Sequence, residues 1–175
     1  KGSLLWVLDN THTAMGGRML RSWVEKPLMD PVQITSRQNA VAELVEETVR
    51  RGDLSELLKD VTDLERVMTR VVTGTVNARD LLGLAHGLRS LPAVKEQLGL
   101  CEGQLLQSLC VDIDTLTDCA DAIENTIVDE PPLTVREGGI IRPGANQEAD
   151  RLRTLMEDSR SIIASIEASE KEKTG

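Results

Sequence analysis

Residues 9–31 read DNTHTAMGGRMLRSWVEKPLMDP, and this stretch shows the pattern that decides the fold of the chain. A turn rich in Asp, Asn and Thr precedes residues with helical spacing, and Pro27 stops that helix. The Asp-Pro pair at 30–31 is typical of a helix start, because aspartate caps free amides and proline fits the first turn. We therefore predict helices over about 14–25 and from 31 to about 49.

The same helical spacing continues on both sides of this stretch. Ser3 is suited to cap a short helix through Leu8. The elements expected beyond residue 49 are a break at Gly52-Asp53, a capping box over 62–65, a helix from Asn77 to about Leu91, short helices near 93–98 and 103–110, and a helix capped by Asp114 that ends near Val128. The sequence thus predicts an all-α fold with a multi-helical orthogonal core.

One segment departs from the helical pattern. Residues 130–144 read EPPLTVREGGIIRPG, with β-branched residues on both sides of two glycines and prolines at both ends. Because this arrangement is typical of a two-residue hairpin turn, we predict one small β-hairpin near 133–143, packed on helices. Residues 1–145 would then form a helical core that includes this hairpin.

A long helix is predicted beyond Asn146, reaching about Lys173. Its apolar or small residues recur at alternating steps of three and four, which is the spacing of a heptad seam. The seam consists of Ala149, Leu152, Met156, Ser159, Ile163 and Ile166. Such a helix requires a partner helix along this face, and we treat residues 146–175 as a separate C-terminal arm.

Composition narrows the range of functions. A chain of 175 residues suits one domain, and its net charge of −9 argues against a nucleic-acid surface, which needs clustered Lys and Arg. Residues 101–135 carry eight acids and no base. No apolar run approaches the roughly 20 residues that span a bilayer, and the shortage of bases disfavours an anionic membrane surface. We expect this chain itself to bind neither nucleic acid nor membrane.

The cysteines indicate the cellular setting. Cys101, Cys110 and Cys119 are nine residues apart and match no C-x-x-C metal pattern, so structural, reduced thiols are the simpler interpretation. Their odd number and the absence of a signal peptide suggest a cytoplasmic protein. The chain begins at Lys1 without a Met and stops inside a charged stretch, which suggests a piece of a longer protein.

Candidate reactive residues are few. Asp9 and His12 could form an acid-base pair, but the sequence offers no nucleophile or oxyanion donor beside them, so turn and cap chemistry is favoured. The adjacent MGGR lacks the Walker spacing that cradles phosphates. DIDTLTD at 112–118 has the aspartates of a Mg²⁺ site without the bases or aromatic cavity for a diphosphate. His86 is interpreted as a core or boundary residue. We predict no catalytic residue, metal ligand or cofactor site.

Arg37 is the least ordinary residue of the predicted core. The helical wheel places it within the buried stripe of its helix, where an unpaired charge is strongly unfavourable. We predict a structural ion pair with Asp30, Asp63 or Glu65. Snorkelling of the guanidinium to the surface is the alternative.

Four other arginines face outward on their predicted helices, and we expect them to be solvated or to contact neighbouring domains. These interdomain-contact candidates are Arg18, Arg21, Arg66 and Arg70.

At residues 3–44 the sequence SLLWVLDNTHTAMGGRMLRSWVEKPLMDPVQITSRQNAVAEL resembles the start of the core, or lever, domain of the MutS family of DNA mismatch-repair proteins. Members of that family carry a similar L-x-x-x-L-D-x-T-x-T-x-M-G-x-R-x-L-x-x-W-x-x-x-P-x-x-D stretch, followed by R-Q-x-A-V. Further similar blocks are DLERVMTRV at 63–71, ARDLLGL at 78–84, VREGGIIRPGANQEAD at 135–150 and EKEKTG at the end. The resemblance covers essentially the whole chain in order.

The resemblance implies that this chain is part of a larger protein. Full-length MutS proteins have a mismatch-reading domain with a Phe-x-Glu motif, a connector, this core, a DNA-gripping clamp and an ATPase with a Walker loop. This chain has no Phe and no Walker loop, so mismatch reading and hydrolysis of ATP with Mg²⁺ would belong to the parent. Residues 146–175 resemble the outgoing lever helix, which would lead into the missing clamp.

The function implied by the resemblance is mechanical. Stiff helices would carry shifts between the ATPase and the clamp, and the connector, clamp and ATPase domains of the same chain would be the partners. The parent is expected to bind mismatched DNA and to form homodimers. Two alternatives remain open: a free-standing helical interaction scaffold, and an all-α enzyme that uses the aspartates at 112–118 with Mg²⁺.

Overall fold

The computed structural model describes residues 2–174, which form ten α-helices and one turn of 3₁₀ helix. The helices are α1 (Leu4–Leu8), α2 (Ala14–Glu25), α3 (Pro31–Glu46), α4 (Thr48–Lys59), α5 (Leu64–Val72), α6 (Ala78–Leu88), α7 (Leu91–Gly99), α8 (Gln104–Asp112), α9 (Thr117–Thr126) and α10 (Gln147–Thr174), and the 3₁₀ turn is Val135–Glu137. None of the helices in this part of the chain is both long and apolar enough to cross a membrane. The all-α prediction is confirmed.

Helix starts follow local cap chemistry. The side chains of Ser3, Thr13 and Asp30 each accept a hydrogen bond from an amide in the first turn of the helix that follows. Asn77 and Asp80 form a reciprocal capping box at the start of α6. Because these contacts lie within three residues of one another, the starts of α1, α2, α3 and α6 could be predicted from sequence.

The helix break predicted at residues 52–53 is wrong. Both residues lie inside α4, and the chain turns earlier, at Glu47. The guanidinium of Arg51 donates to the carbonyl oxygens of Leu44 and Val45, which the end of α3 would otherwise leave unsatisfied. A glycine inside a helix costs only about 1 kcal/mol relative to alanine, an amount that packing of α4 against the core offsets.

The buried side chains form two clusters. The first joins α3, α4, α7 and α8 and consists of Ala40, Leu54, Val94, Leu98, Cys101 and Leu106. Burial raises the pKa of the Cys101 thiol, and the carboxylate of Glu43 adds to this effect. Since Cys101, Cys110 and Cys119 are all free thiols, this cluster is held by packing rather than by a disulfide.

The second cluster lies between α6 and α9. Ala85 and Ala120 are 1% and 0% exposed, and Leu88 is 2% exposed. Leu64 of α5 and Leu91 of α7 pack against these three residues. The small alanine side chains let α6 and α9 approach closely, and α7, which follows α6 directly, links this cluster to the first.

The β-hairpin predicted near 133–143 is wrong, since no strand occurs within residues 2–174. Thr134 and Glu137 form a capping box that closes a 3₁₀ turn where the first strand was expected. Gly138 and Gly139 have φ of 71° and 72°, but the chain after them does not pair with the chain before them. The residues expected to form the first strand are therefore held in this turn.

The residues expected to form the second strand pair with α9 instead. Ile141 forms an isolated antiparallel bridge with Ile127, the residue that follows α9. Arg142 N–H donates to the Thr126 carbonyl at 2.8 Å, and Val128 N–H donates to the Ile140 carbonyl at 3.0 Å. The last carbonyls of a helix have no intrahelical partner, so they are available to a passing extended segment.

The long C-terminal helix is present as predicted. α10 has 28 residues, and Asn146 Oδ1 accepts a hydrogen bond from Ala149 N–H at 3.0 Å at its start. Leu152, Met156 and Ile163 of its predicted seam are each more than half exposed. The apolar side of α10 is thus largely open to solvent, and the division of the chain at residues 145–146 stays a prediction.

Candidate functional site

One arginine and two carboxylates form a group of ion pairs between α2 and α5. Nη1 and Nη2 of Arg18 donate to the two carboxylate oxygens of Asp63 at 2.8 and 2.7 Å, and Arg18 Nε donates to Glu65 Oε2 at 2.9 Å. Asp63 also caps α5 by accepting from the backbone N–H of Arg66. The adjacent guanidinium lowers the pKa of Asp63 to about 2, and both carboxylates raise the pKa of Arg18. Arg18 therefore ties α2 to α5.

A second ion pair joins α5 to α6. Arg70 Nη1 lies 2.5 Å from Asp80 Oδ1, and Asp80 is at the same time part of the Asn77 capping box. The guanidinium of Arg70 lowers the pKa of Asp80. Like Arg18, Arg70 is thus engaged within the chain, and a contact with a neighbouring domain would have to use its remaining donors.

Arg21 and Arg66 are the two interdomain-contact candidates for which the structure gives no side-chain hydrogen bond or ion pair within residues 2–174. Both are exposed. Arg21 lines an open cleft beside α2, while Arg66 lies in the first turn of α5. Contact with another domain stays a prediction for all four arginines.

The ion pair predicted for Arg37 is not among the interactions found in residues 2–174, and this prediction needs correction. The guanidinium carbon of Arg37 lies 3.7 Å from the centre of the Trp23 ring, which is a cation–π contact between α3 and α2. Asp63 and Glu65 bind Arg18 instead. The ring face stabilises the positive charge that was expected to need a carboxylate, and Arg37 is half-buried rather than buried as predicted.

The turn before α2 borders a polar cleft of about 630 Å³ that includes His12. Within this turn the Asp9 carboxylate accepts hydrogen bonds from the Thr11 backbone N–H at 3.2 Å and from the Thr11 hydroxyl at 2.7 Å, which lower the pKa of Asp9. A Cβ on Gly16 would lie 2.9 Å from the Thr13 hydroxyl oxygen. Gly16 thus allows close packing of this turn, and the Asp9 carboxylate is hydrogen-bonded to Thr11 within it.

The aspartates at 112–118 are spread over two helix ends. Asp112 ends α8, whereas Asp114 accepts from Leu116 N–H at 3.0 Å in the turn before α9. Asp118 lies in the first turn of α9. In the part of the chain that the structure describes, no three His, Cys, Asp or Glu side chains are grouped so that they could hold a metal ion.

Glu43 of α3 makes an interhelix contact that was not predicted from the sequence. Its Oε1 accepts from the Glu102 backbone N–H and its Oε2 from the Gly103 backbone N–H, each at 2.7 Å. These amides precede α8, so a carboxylate from α3 caps a helix that lies about 60 residues later. A glycine at residue 103 is typical of a position where another group approaches the backbone closely, but the identity of that group depends on tertiary structure.

A second missed group links α6 to α9. Arg89 at the end of α6 donates to Asp121 Oδ1 at 2.5 Å and also binds the Glu124 carboxylate. Arg89 lowers the pKa of Glu124, while the two acids raise the pKa of Arg89. The acid-rich stretch is therefore neutralised in part by a base outside it.

These features define a class of protein: an all-helical domain whose helices are joined by ion pairs and, at α8, by a cap that a residue of another helix provides. The family model described as MutS domain III matches residues 1–173, so the chain belongs to the MutS family. It is 46% identical over 175 residues to the DNA mismatch repair protein MutS of Acetivibrio thermocellus, 47% identical to that of Symbiobacterium thermophilum and 41% identical to that of Clostridium tetani. Each match covers 100% of this chain, which spans about a fifth of the length of these relatives.

Proposed function

We propose that this chain is the core, or lever, segment of a longer mismatch-repair ATPase, and that it transmits motion between the ATPase and the DNA clamp without performing a reaction itself. The observation that carries the proposal is α10. At about 1.5 Å per residue its 28 residues extend about 42 Å, further than any side chain could reach. A continuous helix of this length transmits displacement from one end to the other.

The exposed apolar side chains of the core support the proposal that it lies between other domains of a longer chain. Apolar side chains on the first three helices are open to solvent, among them Leu4 at 64%, Trp6 at 58% and Met19 at 56% exposure. Together with Arg21 and Arg66 they are suited to contact the connector, clamp and ATPase domains of the parent chain. In this proposal the parent binds mismatched DNA, uses ATP and Mg²⁺, forms homodimers and is cytoplasmic, whereas the segment has no cofactor of its own.

Breaking α10 tests the mechanical role. In the full-length protein, Ser159→Pro removes one backbone donor and kinks α10 near its middle. We expect the basal ATPase rate to persist and its response to mismatched DNA to be lost. Ser159→Ala, which keeps the helix intact, should leave both unchanged. A normal mismatch response in the proline variant would contradict the proposal.

The purified 175-residue chain tests the absence of a reaction. We expect no ATP turnover, no shift of its melting temperature with Mg²⁺ and no binding of short DNA duplexes. Measurable turnover would overturn the proposal, and a Mg²⁺-dependent shift lost in Asp114→Asn would favour the enzyme alternative.

The scaffold alternative draws support from the same exposed apolar side chains on α1 and α2. It predicts tight binding of the isolated chain to a separate protein, with loss of binding in Trp6→Ala. The lever proposal expects Trp6→Ala to act only within the parent, where it would weaken contact with a neighbouring domain.

A further inference from the structure

The segment between the 3₁₀ turn and α10 is held from both sides. On one side, Ile141 forms the bridge with Ile127 and the backbone N–H of Arg142 binds the Thr126 carbonyl. These contacts fix the segment to the end of α9. On the other side it leads directly into α10, so its position decides where the long helix starts.

The side chain of Arg142 makes one further bond to α9 and one to Asp129, which follows it. Its Nε donates to the carbonyl of Glu124 at 3.1 Å, and its Nη2 donates to Asp129 Oδ1 at 2.6 Å. The guanidinium thus binds a carbonyl in the last turn of α9, where the helix dipole favours a cation. Because the Glu124 carboxylate binds Arg89 of α6, the same turn of α9 is held from α6 as well.

Arg153 attaches α10 to the same segment. Its Nη2 donates to the Ile141 carbonyl and its Nη1 to Asp150 Oδ1, both at 2.8 Å. The second oxygen of Asp150 accepts from Gly144 N–H at 2.8 Å. Arg153 and Asp150 therefore connect the first turns of α10 to both ends of residues 141–144, and their side chains are only about one third exposed.

The apolar contact between this segment and α10 is looser than the arginine contacts. A cleft of about 720 Å³ separates the glycine-containing segment from α10, and its walls include Val135 and Ile140 on one side and Leu152 and Met156 on the other. Leu152 and Met156 remain 53% and 60% exposed. A partly open apolar contact does not define an angle well, whereas a planar guanidinium with two fixed partners does.

We propose that Arg142 and Arg153 are positioning residues that set the direction of α10 relative to the core. The guanidinium of Arg142 attaches the segment to the end of α9, and the guanidinium of Arg153 attaches α10 to the neighbouring Ile141 carbonyl, so α9, the segment and α10 behave as one rigid joint. The direction of α10 is a property of this chain, while its importance for coupling rests on the proposed function. Loss of either arginine frees α10 to swing while the core stays folded.

Distances between spin labels test this joint. One label is placed on the exposed Cys119 of α9 and the other on Ser159→Cys in α10, in a background with Cys110→Ala. Cys101 is buried, so only these two thiols react. We expect a narrow distribution of distances in the labelled chain that keeps both arginines. Arg142→Gln and Arg153→Gln should each widen this distribution at least twofold, while the melting temperature stays close to that of the chain with both arginines.

Two matched variants control for charge and composition. Arg136 lies in the 3₁₀ turn and Arg151 in the first turns of α10, both exposed, and the ion pair of Arg151 stays within its own helix. Arg136→Gln and Arg151→Gln should leave the distribution narrow. A narrow distribution in Arg142→Gln and Arg153→Gln would overturn the proposal.

A third variant keeps the test decisive if an arginine variant fails to fold. Asp150→Ala removes the acceptor of both Arg153 and Gly144 at the surface of α10, and it should widen the distribution; a narrow one would overturn the proposal. The same variants in the full-length protein separate the two proposals. A widened distribution together with a normal mismatch response would support the proposal that these residues set the direction of α10. The same result would contradict the lever function.

Discussion

At the scale of single residues, Glu43 shows how one carboxylate stabilises a helix start from another helix. Its two oxygens accept from the amides of Glu102 and Gly103, and the guanidinium of Arg50 lies 3.9 Å away. A Cβ at residue 103 would lie only 2.5 Å from Oε2 of Glu43, so the carboxylate would have to shift if this residue carried a side chain. Gly103 therefore leaves room for the carboxylate in the position where it caps α8.

Gly103→Ala should destabilise the chain by about 1–3 kcal/mol, since displacement of the carboxylate leaves two amides without their acceptor. Urea denaturation followed by circular dichroism measures this loss. Gly52→Ala is the matched control: Gly52 lies inside α4 with open space around it, so this change should stabilise by about 0.5–1 kcal/mol. Equal stability of Gly103→Ala and the parent would show that the Glu43 contact is dispensable.

The ion pair of Asp63 makes stability depend on pH. Its pKa in the folded chain is about 2, lowered by Arg18, so the carboxylate is charged to lower pH than in the unfolded chain. A lowered pKa stabilises the fold above the ordinary aspartate range, and that contribution disappears as pH falls from about 4 to about 2. The half-exposed Arg18 limits its size, because solvent screens the pair.

Asp63→Asn isolates this effect, because asparagine keeps the helix cap and removes the charge. We expect the variant to melt below the parent at pH 7 and the difference to shrink towards pH 2. Thermal melts at pH 7, 4 and 2.5 measure it, with Asp53→Asn on the exposed side of α4 as the control. A difference that stays constant with pH would show that the charge of Asp63 is not its cause.

At the scale of helices, the sequence predicts elements whose causes are local and misses those whose causes are distant. The caps at Thr13 and Asp30 act within three residues, so the starts of α2 and α3 were predictable. The expected hairpin failed because Ile141 pairs with Ile127. Both partners are β-branched and suit either pairing, and only the position of α9 decides between them.

The same distinction applies to the candidate site. The helical wheel predicts that Arg37 lies in a buried stripe, but Arg37 is only half-buried, and the wheel cannot identify the Trp23 ring as its partner. Likewise, the sequence predicts that the four outward arginines lie on the surface, but not which residues they bind. That Arg18 reaches Asp63 across 45 residues of sequence depends on the tertiary fold, which no local pattern encodes.

The contact between α6 and α9 depends on small side chains. Ala120 is fully buried there, so Ala120→Leu must force the two helices apart and should cost about 1–3 kcal/mol. Ala122→Leu, on the exposed side of the same helix, should change stability by less than about 0.5 kcal/mol. Urea denaturation compares them. Similar stability of the two variants would mean that α6 and α9 can separate without loss.

At the scale of the whole molecule, the two buried clusters are linked by α6 and α7, which follow each other after only two residues. We expect residues 1–145 to unfold as one cooperative unit for this reason. A domain of this size usually unfolds in a single transition unless its parts are joined weakly. Truncation of a leucine in one cluster should therefore destabilise the other cluster equally.

Leu88→Ala and Leu98→Ala test this, because Leu88 lies in the second cluster and Leu98 in the first. Each removes a nearly buried side chain and should cost about 2–5 kcal/mol through the cavity that it leaves. Calorimetry should show one transition in both variants, and hydrogen exchange should speed up in α4 and α9 alike. If Leu88→Ala instead produced an early transition confined to α6 and α9, the core would consist of two independent units, and α10, which is joined to α9, would have no rigid base from which to act as a lever.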